Sequence, residues 1–151
     1  MTTPSVQTEL YLDIQQFYAE HMQAVDDGDY AVCALGYTED ALFDTDALPA
    51  PLAGRATIME QLSTATAGAR DAGIRRRHFM SMLTVRQDPA RENTVHTRSN
   101  ALVVATPPGG VPAVQRSVIW EDTLVYDESE GRWRIKMRRV RADGAPGRAA
   151  G

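Results

Sequence analysis

The sequence predicts an α+β fold. About three N-terminal helices pack on one face of a strongly curved, mostly antiparallel sheet and make a cone-shaped α+β barrel. Three observations predict it. Apolar residues recur at helical spacing in the first half of the chain. The second half is a run of long strand-like segments separated by short turns, which implies an antiparallel meander. Helices first and strands afterwards place the helices on one side of a single sheet, and a curved sheet closed by helices encloses a cavity.

Taken in order, Thr3-Pro4 fits an N-cap followed by proline at the first helical position. Leu10, Ile14, Phe17 and His21 then follow at spacings of four, three and four, with Tyr11, Tyr18, Met22 and Val25 widening that face. Gly28 suits a left-handed helix end, and Asp29 can cap a short second helix over about 30–37. A short strand over 41–44 precedes a loop over 45–54 that carries Pro49 and Pro51. A third helix begins near Arg55 with Ile58, Met59, Leu62 and Ala65 on one face. Strands follow over 74–85, 94–106, 113–126 and 132–141. The last alternates Trp133, Ile135 and Met137 with Arg134, Lys136 and Arg138, which reads as one buried and one wet face. Residues 1–141 form one domain, and 142–151, rich in Gly, Ala and Pro, form a flexible tail.

The bulk numbers exclude several classes. A chain of 151 residues with 43% hydrophobic and 24% charged residues suits one soluble domain. A net charge of −4 argues against nucleic acid, which needs clustered cations. A lone Cys33 cannot form an intramolecular disulfide or a thiolate metal centre, and the three histidines lack zinc spacing, so no metal is expected. No apolar run reaches the ~18 residues of a membrane span, and no secretory leader is visible. The expected compartment is the cytoplasm.

The chemistry centres on His78. It sits early on a strand directly after a helix, and alternation puts it on one side with Met80 and Met82. A histidine facing an apolar cavity can do acid–base work without a cofactor. Asp26 lies at the C-terminal end of the first helix, where the helix dipole disfavours an acid, so it needs compensation from His78 or an arginine. Asp122 shares strand parity with Trp120 and Leu124 and is either a functional acid or on the other face. His21 lies on the apolar stripe of the first helix, while Tyr18, Tyr37, Met80 and Trp120 read as cavity wall. Asp44 and Asp46 read as loop residues with a pocket role as the alternative. The clusters Arg75–Arg77 and Arg134–Arg141 mark the outer sheet face.

Five segments carry a family resemblance. They are Asp26-Asp27-Gly28-Asp29, the stretch from Tyr37 to Asp44, Gly54-Arg55-Ala56-Thr57-Ile58, Arg77-His78-Phe79, and Trp120-Glu121-Asp122 with Gly131-Arg132-Trp133. In this order they resemble the nuclear transport factor 2-like superfamily with its cystatin-like fold, and most closely its SnoaL-like branch of polyketide cyclases and scytalone dehydratase-like enzymes. The resemblance implies that His78 activates water or holds the substrate, and that Asp26 partners a second histidine. That histidine has no match: its strand offers Arg98 and Asn100. By comparison with ketosteroid isomerase, Asp122 aligns with a protonated acid and His21 with an oxyanion donor, while SnoaL-type cyclases use a cavity aspartate for which Asp122 and Asp44 are candidates. The superfamily also implies a homodimer formed through the sheet face.

The function expected is a cofactor-free cyclase or dehydratase acting on an aromatic or polycyclic polyketide-like intermediate of secondary metabolism. His78, Asp26 and Asp122 are its candidate catalytic residues. Tyr18, His21, Tyr37, Asp44, Met80, Arg98, Asn100 and Trp120 are its candidate substrate-binding residues. Two alternatives stand beside it: a non-catalytic accessory subunit resembling the β subunits of ring-hydroxylating dioxygenases, and an epoxide-opening hydrolase or ether cyclase.

Overall fold

A computed structural model describes residues 6–146. The helices are α1 (Thr8–Asp27), α2 (Tyr30–Leu35) and α3 (Arg55–Asp71). The strands are β1 (Tyr37–Thr45), β2 (Leu52–Ala53), β3 (Arg75–Gln87), β4 (Thr94–Thr106), β5 (Ala113–Asp127) and β6 (Arg132–Ala142). The helix start expected at Thr3-Pro4 lies outside the described residues, and α1 begins at Thr8 after Gln7. Of the tail expected over 142–151, Ala142 belongs to β6 and residues 147–151 lie outside the described residues.

The α1–α2 corner follows its sequence closely. Gly28 takes φ 71°, the left-handed geometry in which a side chain is strained, and its N–H caps Ala24 and Val25. The side chain of Asp29 then accepts from the N–H of Val32 and starts α2. This tight corner fixes the end of α1, and with it Asp26, against the sheet.

The six strands form one sheet in the order β2-β1-β6-β5-β4-β3. β3 to β6 are the expected antiparallel meander. β1 adds to β6 in parallel, joined through the helices and the meander, and β2 pairs with β1 from within the segment read as loop. The edges β2 and β3 do not pair, so the sheet is a curved open layer and not a closed barrel.

Two bulges correct the simple alternation. The first lies between Ser81 and Thr84, with Met82 at φ 56°. It keeps Met80 inside with His78 but turns Met82 out, 77% exposed. In the second, Leu124 faces Ile135 while Thr123 faces Met137, so Lys136 is the extra residue. Parity reverses there, and Ile135 and Arg138 both face inward. The uniform outer row Arg134, Lys136, Arg138 is therefore broken by one inserted residue. Arg134 is also buried, donating to Asp127 and to the Leu35 carbonyl.

The apolar interior has two parts. Ile14, Cys33, Val95, Leu124 and Ile135 pack solidly between α1, α2 and the sheet. Met22, Ala101, Val118, Trp120 and Val140 form a second cluster further along the sheet. The cavity opens against that second cluster.

Candidate active site

α1 and α3 lie across the concave face of the sheet, and between them is a cavity of about 360 Å³. Its wall is largely apolar: Met22 and Val25 from α1, Ile58 and Leu62 from α3, and Val103, Val118 and Trp120 from the sheet. That size and lining suit a small, flat organic ligand. The polar groups are few: Tyr37, Gln61, Arg76, His78, Arg116 and Arg138 with two threonines.

His78 is held by Asp26 through two contacts. One carboxylate oxygen accepts the His78 backbone N–H at 2.9 Å, and the other lies 2.6 Å from ring Nδ1. Both side chains are mostly buried, 13% and 10% exposed. An acid at a helix C-terminus is opposed by the dipole, and the two donors of His78 compensate it. With Nδ1 facing a carboxylate, the neutral ring carries its proton there and leaves Nε2 as the basic nitrogen. Nε2 forms no hydrogen bond with the described residues, and His78 lines the cavity. Two further clefts of about 330 Å³ each also reach the His78–Asp26 pair. One lies beneath α3 and carries Arg70 and Arg75, and the other lies beside α1 and carries Tyr18 and Met80.

Behind Trp120 is a buried charged network. Arg138 donates from Nη2 to Asp122 at 2.9 Å and from Nε to both carboxylate oxygens. Tyr18 donates to the same carboxylate at 2.7 Å and meets the Thr97 hydroxyl at 2.5 Å. Arg138 also donates to the Tyr37 hydroxyl at 3.3 Å. Removing two charges from water is expensive, and the dense hydrogen bonding offsets it. Burial works against the charge on Arg138, but Asp122 outweighs it and holds the guanidinium above its ordinary pKa. Burial, reinforced by Asp122, pushes the Tyr18 phenol well up, and burial pushes Tyr37 up to about 12. Both tyrosines therefore keep their phenol protons at neutral pH; Tyr18 donates to Asp122, while the Tyr37 oxygen accepts from Arg138.

Trp120 joins this network to the dyad. The Arg138 guanidinium carbon lies 4.7 Å from its ring centroid, and the His78 ring is 5.8 Å away on a tilt of 41°. The cation–π contact fixes the Trp120 ring, which in turn forms the wall beside His78.

The site residues read from the sequence separate into two groups. His78, Asp26, Tyr37, Trp120, Tyr18 and Met80 converge on the cavity or its adjoining cleft. Asp122 does not line the cavity, because its fully buried carboxylate is the counter-ion of Arg138. His21 is sealed in the core, stacked on Phe17 at 5.6 Å and edge-on to Tyr37 at 5.2 Å, because its helix face packs on the sheet. Asp44 faces away from the cavity: its parity on β1 is opposite to Phe43 and Thr45, and its carboxylate meets Arg141 at 2.7 Å. Arg98 and Asn100 are exposed on the outer face of β4, whose inner residues are Thr97, Ser99, Ala101 and Val103. Reading the sequence missed Arg76, Arg116 and Arg138. Arg76 was detectable, since it shares strand parity with His78; Arg138 was hidden by the Lys136 bulge.

Among the described residues no group of three or more His, Cys, Asp or Glu is placed to hold a metal, and no helix is long and apolar enough to cross a membrane. Cys33 is buried, and burial pushes its thiol up to about 11, so it is a packing residue.

Three helices laid on one curved sheet give the chain a cystatin-like fold. The chain belongs to the SnoaL-like domain family, whose profile matches residues 6–139. It is similar to the structure of Aln2 from a Streptomyces species, with 29% identity, a TM-score of 0.80, and 91% of this chain and 93% of that one covered. It is similar to ActVI-ORFA from Streptomyces coelicolor, with 25% identity, a TM-score of 0.83, and 93% and 100% covered. A protein from Catenulispora acidiphila in complex with S-DNPA shares 29% identity and a TM-score of 0.77, with 91% and 96% covered. A search of curated protein sequences found no significant match.

Proposed function

We propose that this protein is a cofactor-independent cyclase or dehydratase that moves protons on an aromatic, polyketide-like substrate. The observation that carries this reading is the Asp26–His78 pair, whose ring borders a mainly apolar cavity and whose Nε2 forms no hydrogen bond among the described residues. The structure of the Catenulispora acidiphila relative in complex with S-DNPA supports a ligand-binding cavity in this chain.

In a dehydration, His78 Nε2 takes the proton α to a ketone. The electron pair moves onto the carbonyl oxygen as an enolate, the β-hydroxyl then leaves, and His78 returns its proton so that water departs. Asp26 holds the ring and stabilises the transient imidazolium. In a cyclisation the same base removes a proton from a nucleophilic carbon or hydroxyl, and the ring closes with no water lost. A purely accessory subunit needs no polar constellation inside its pocket, and the dyad favours the enzyme reading over it.

The test uses 3-hydroxy-3,4-dihydronaphthalen-1(2H)-one, a β-hydroxyketone that loses water to give fluorescent 1-naphthol. The protein is expected to accelerate naphthol formation, and His78→Ala to abolish the acceleration while remaining folded. Equal rates for the two proteins contradict the role of His78.

We also propose a homodimer. The outer sheet face exposes Phe79 and Leu102, opposite one another on β3 and β4, beside Arg77 and Arg98. Apolar residues among arginines are the composition of an interface. Light scattering after size exclusion is expected to give twice the chain mass, and Phe79→Glu to return the monomer.

A further inference from the structure

We propose that Arg76 and Arg116 form an anion site in the cavity wall, one that takes an oxyanion arm, carboxylate or phosphate, on the substrate ring system. The proposal rests on the catalytic reading above, because it uses the same cavity.

Four observations carry it. Arg76 and Arg116 both line the cavity, in a wall that is otherwise mainly apolar. Among the described residues neither arginine has an ion-pair partner. The Nε of Arg76 is buried and has no hydrogen-bond partner among the described residues. A buried donor left unmade is expensive, so such a group in a native cavity wall calls for a partner that arrives from outside. Finally, the two arginines flank His78 on one sheet surface, from strands on either side of β4. His78 faces Val103 on β4, and Val103 faces Arg116 on β5. Arg116 is thus in the same cross-strand row as His78, about 10 Å away at the backbone, and Arg76 is two residues along β3, about 7 Å away.

The electrostatics agree with this placement. Burial and the neighbouring charge of Arg116 both disfavour the Arg76 cation, and Asp26 opposes them only in part, being engaged already by His78. An incoming oxyanion relieves both penalties and accepts from two planar forks. Anchored there, a ring of naphthalene width reaches the row of His78, so the anion arm sets which carbon meets Nε2. The site selects anionic over neutral congeners of one ring system.

Calorimetric titration tests this with 1-naphthylacetate, its neutral isostere 1-naphthylacetamide, 1-naphthyl phosphate and inorganic phosphate. The acetate or the phosphate ester is expected to bind at least tenfold more tightly than the amide. Arg76→Gln and Arg116→Gln should each reduce that preference, and the double variant should remove it with amide affinity unchanged. Arg76→Lys should keep part of it. Whichever of acetate and phosphate ester binds more tightly, with inorganic phosphate competing only in the second case, assigns the arm. Equal binding of acid and amide, no binding of any probe, or a preference that survives in the double variant overturns the proposal. A wild-type protein that shows no anion preference but forms naphthol overturns this site alone and leaves the His78 reading standing; a wild-type protein with the preference but no naphthol formation does the opposite.

Discussion

Asp26 grips His78 twice, through the backbone N–H at 2.9 Å and through ring Nδ1 at 2.6 Å, although 52 residues separate them. The first contact fixes where the strand passes the end of α1. The second fixes the ring. One carboxylate therefore sets both the position and the tautomer of the histidine, and a loop placement could not hold both as firmly.

The tautomer is directly observable. Long-range proton–nitrogen NMR spectra are expected to show neutral His78 protonated at Nδ1 and bare at Nε2. Asp26→Asn should give a mixture of tautomers and slow naphthol formation by about 10²–10⁴, the usual worth of positioned acid–base catalysis. A wild-type ring protonated at Nε2 contradicts the geometry.

The Asp122–Arg138 pair predicts an asymmetric mutational response. Asp122→Ala leaves a buried guanidinium unpaired and should destabilise the fold by about 3–5 kcal/mol in urea unfolding. Replacing both residues by Leu and Met should restore most of that loss, because the desolvation of both charges disappears together. Equal destabilisation by the single and double variants refutes this.

His21 makes stability depend on pH. Burial, then Arg138, holds its pKa well below 6.5, and both ring nitrogens are buried without hydrogen-bond partners among the described residues. The unfolded chain binds a proton near pH 6.5 while the folded chain stays neutral. Stability is therefore full above that pH and falls as pH drops below it, by at most about 1.4 kcal/mol per pH unit from this group. His21→Leu should flatten this part of the pH profile, measured by urea unfolding between pH 7 and 5. An unchanged slope refutes the assignment.

Gly36 meets the same ring. A Cβ built at Gly36 would lie 2.3 Å from His21 Nδ1, with φ −76° posing no backbone obstacle. Gly36→Ala should thus destabilise by about 1–3 kcal/mol through overpacking. Combining it with His21→Ala should recover part of the loss, as a double-mutant cycle would show. Additive losses contradict the contact.

The sequence was legible where period and punctuation agree. The α1 stripe, the Gly28-Asp29 corner and the four long strands all follow from apolar spacing and turn residues. His78 was legible from its place early on the strand after α3, and Asp26 from its helix end, but the sequence left Asp26's partner open between His78 and an arginine, because only the packing of β3 against the end of α1 brings the two together. The parallel β1–β6 pairing and the two-residue β2 leave almost no local trace, since long-range pairing decides them. The bulges at Met82 and Lys136 were equally silent, and a one-residue insertion was enough to carry Arg138 from the expected outer row into the core. Arg98 and Asn100 failed for the opposite reason: the resemblance suggested them, while plain alternation with buried Thr97, Ser99 and Ala101 puts them outside.

The most direct test of the central claim is a histidine titration by NMR with and without 1-naphthylacetate. If His78 is the working group of the cavity, its ring signals move on ligand addition, while those of core His21 and of His96, tied to Asp88 at 2.8 Å, stay in place. A His78 that ignores the ligand while the ligand binds contradicts the account.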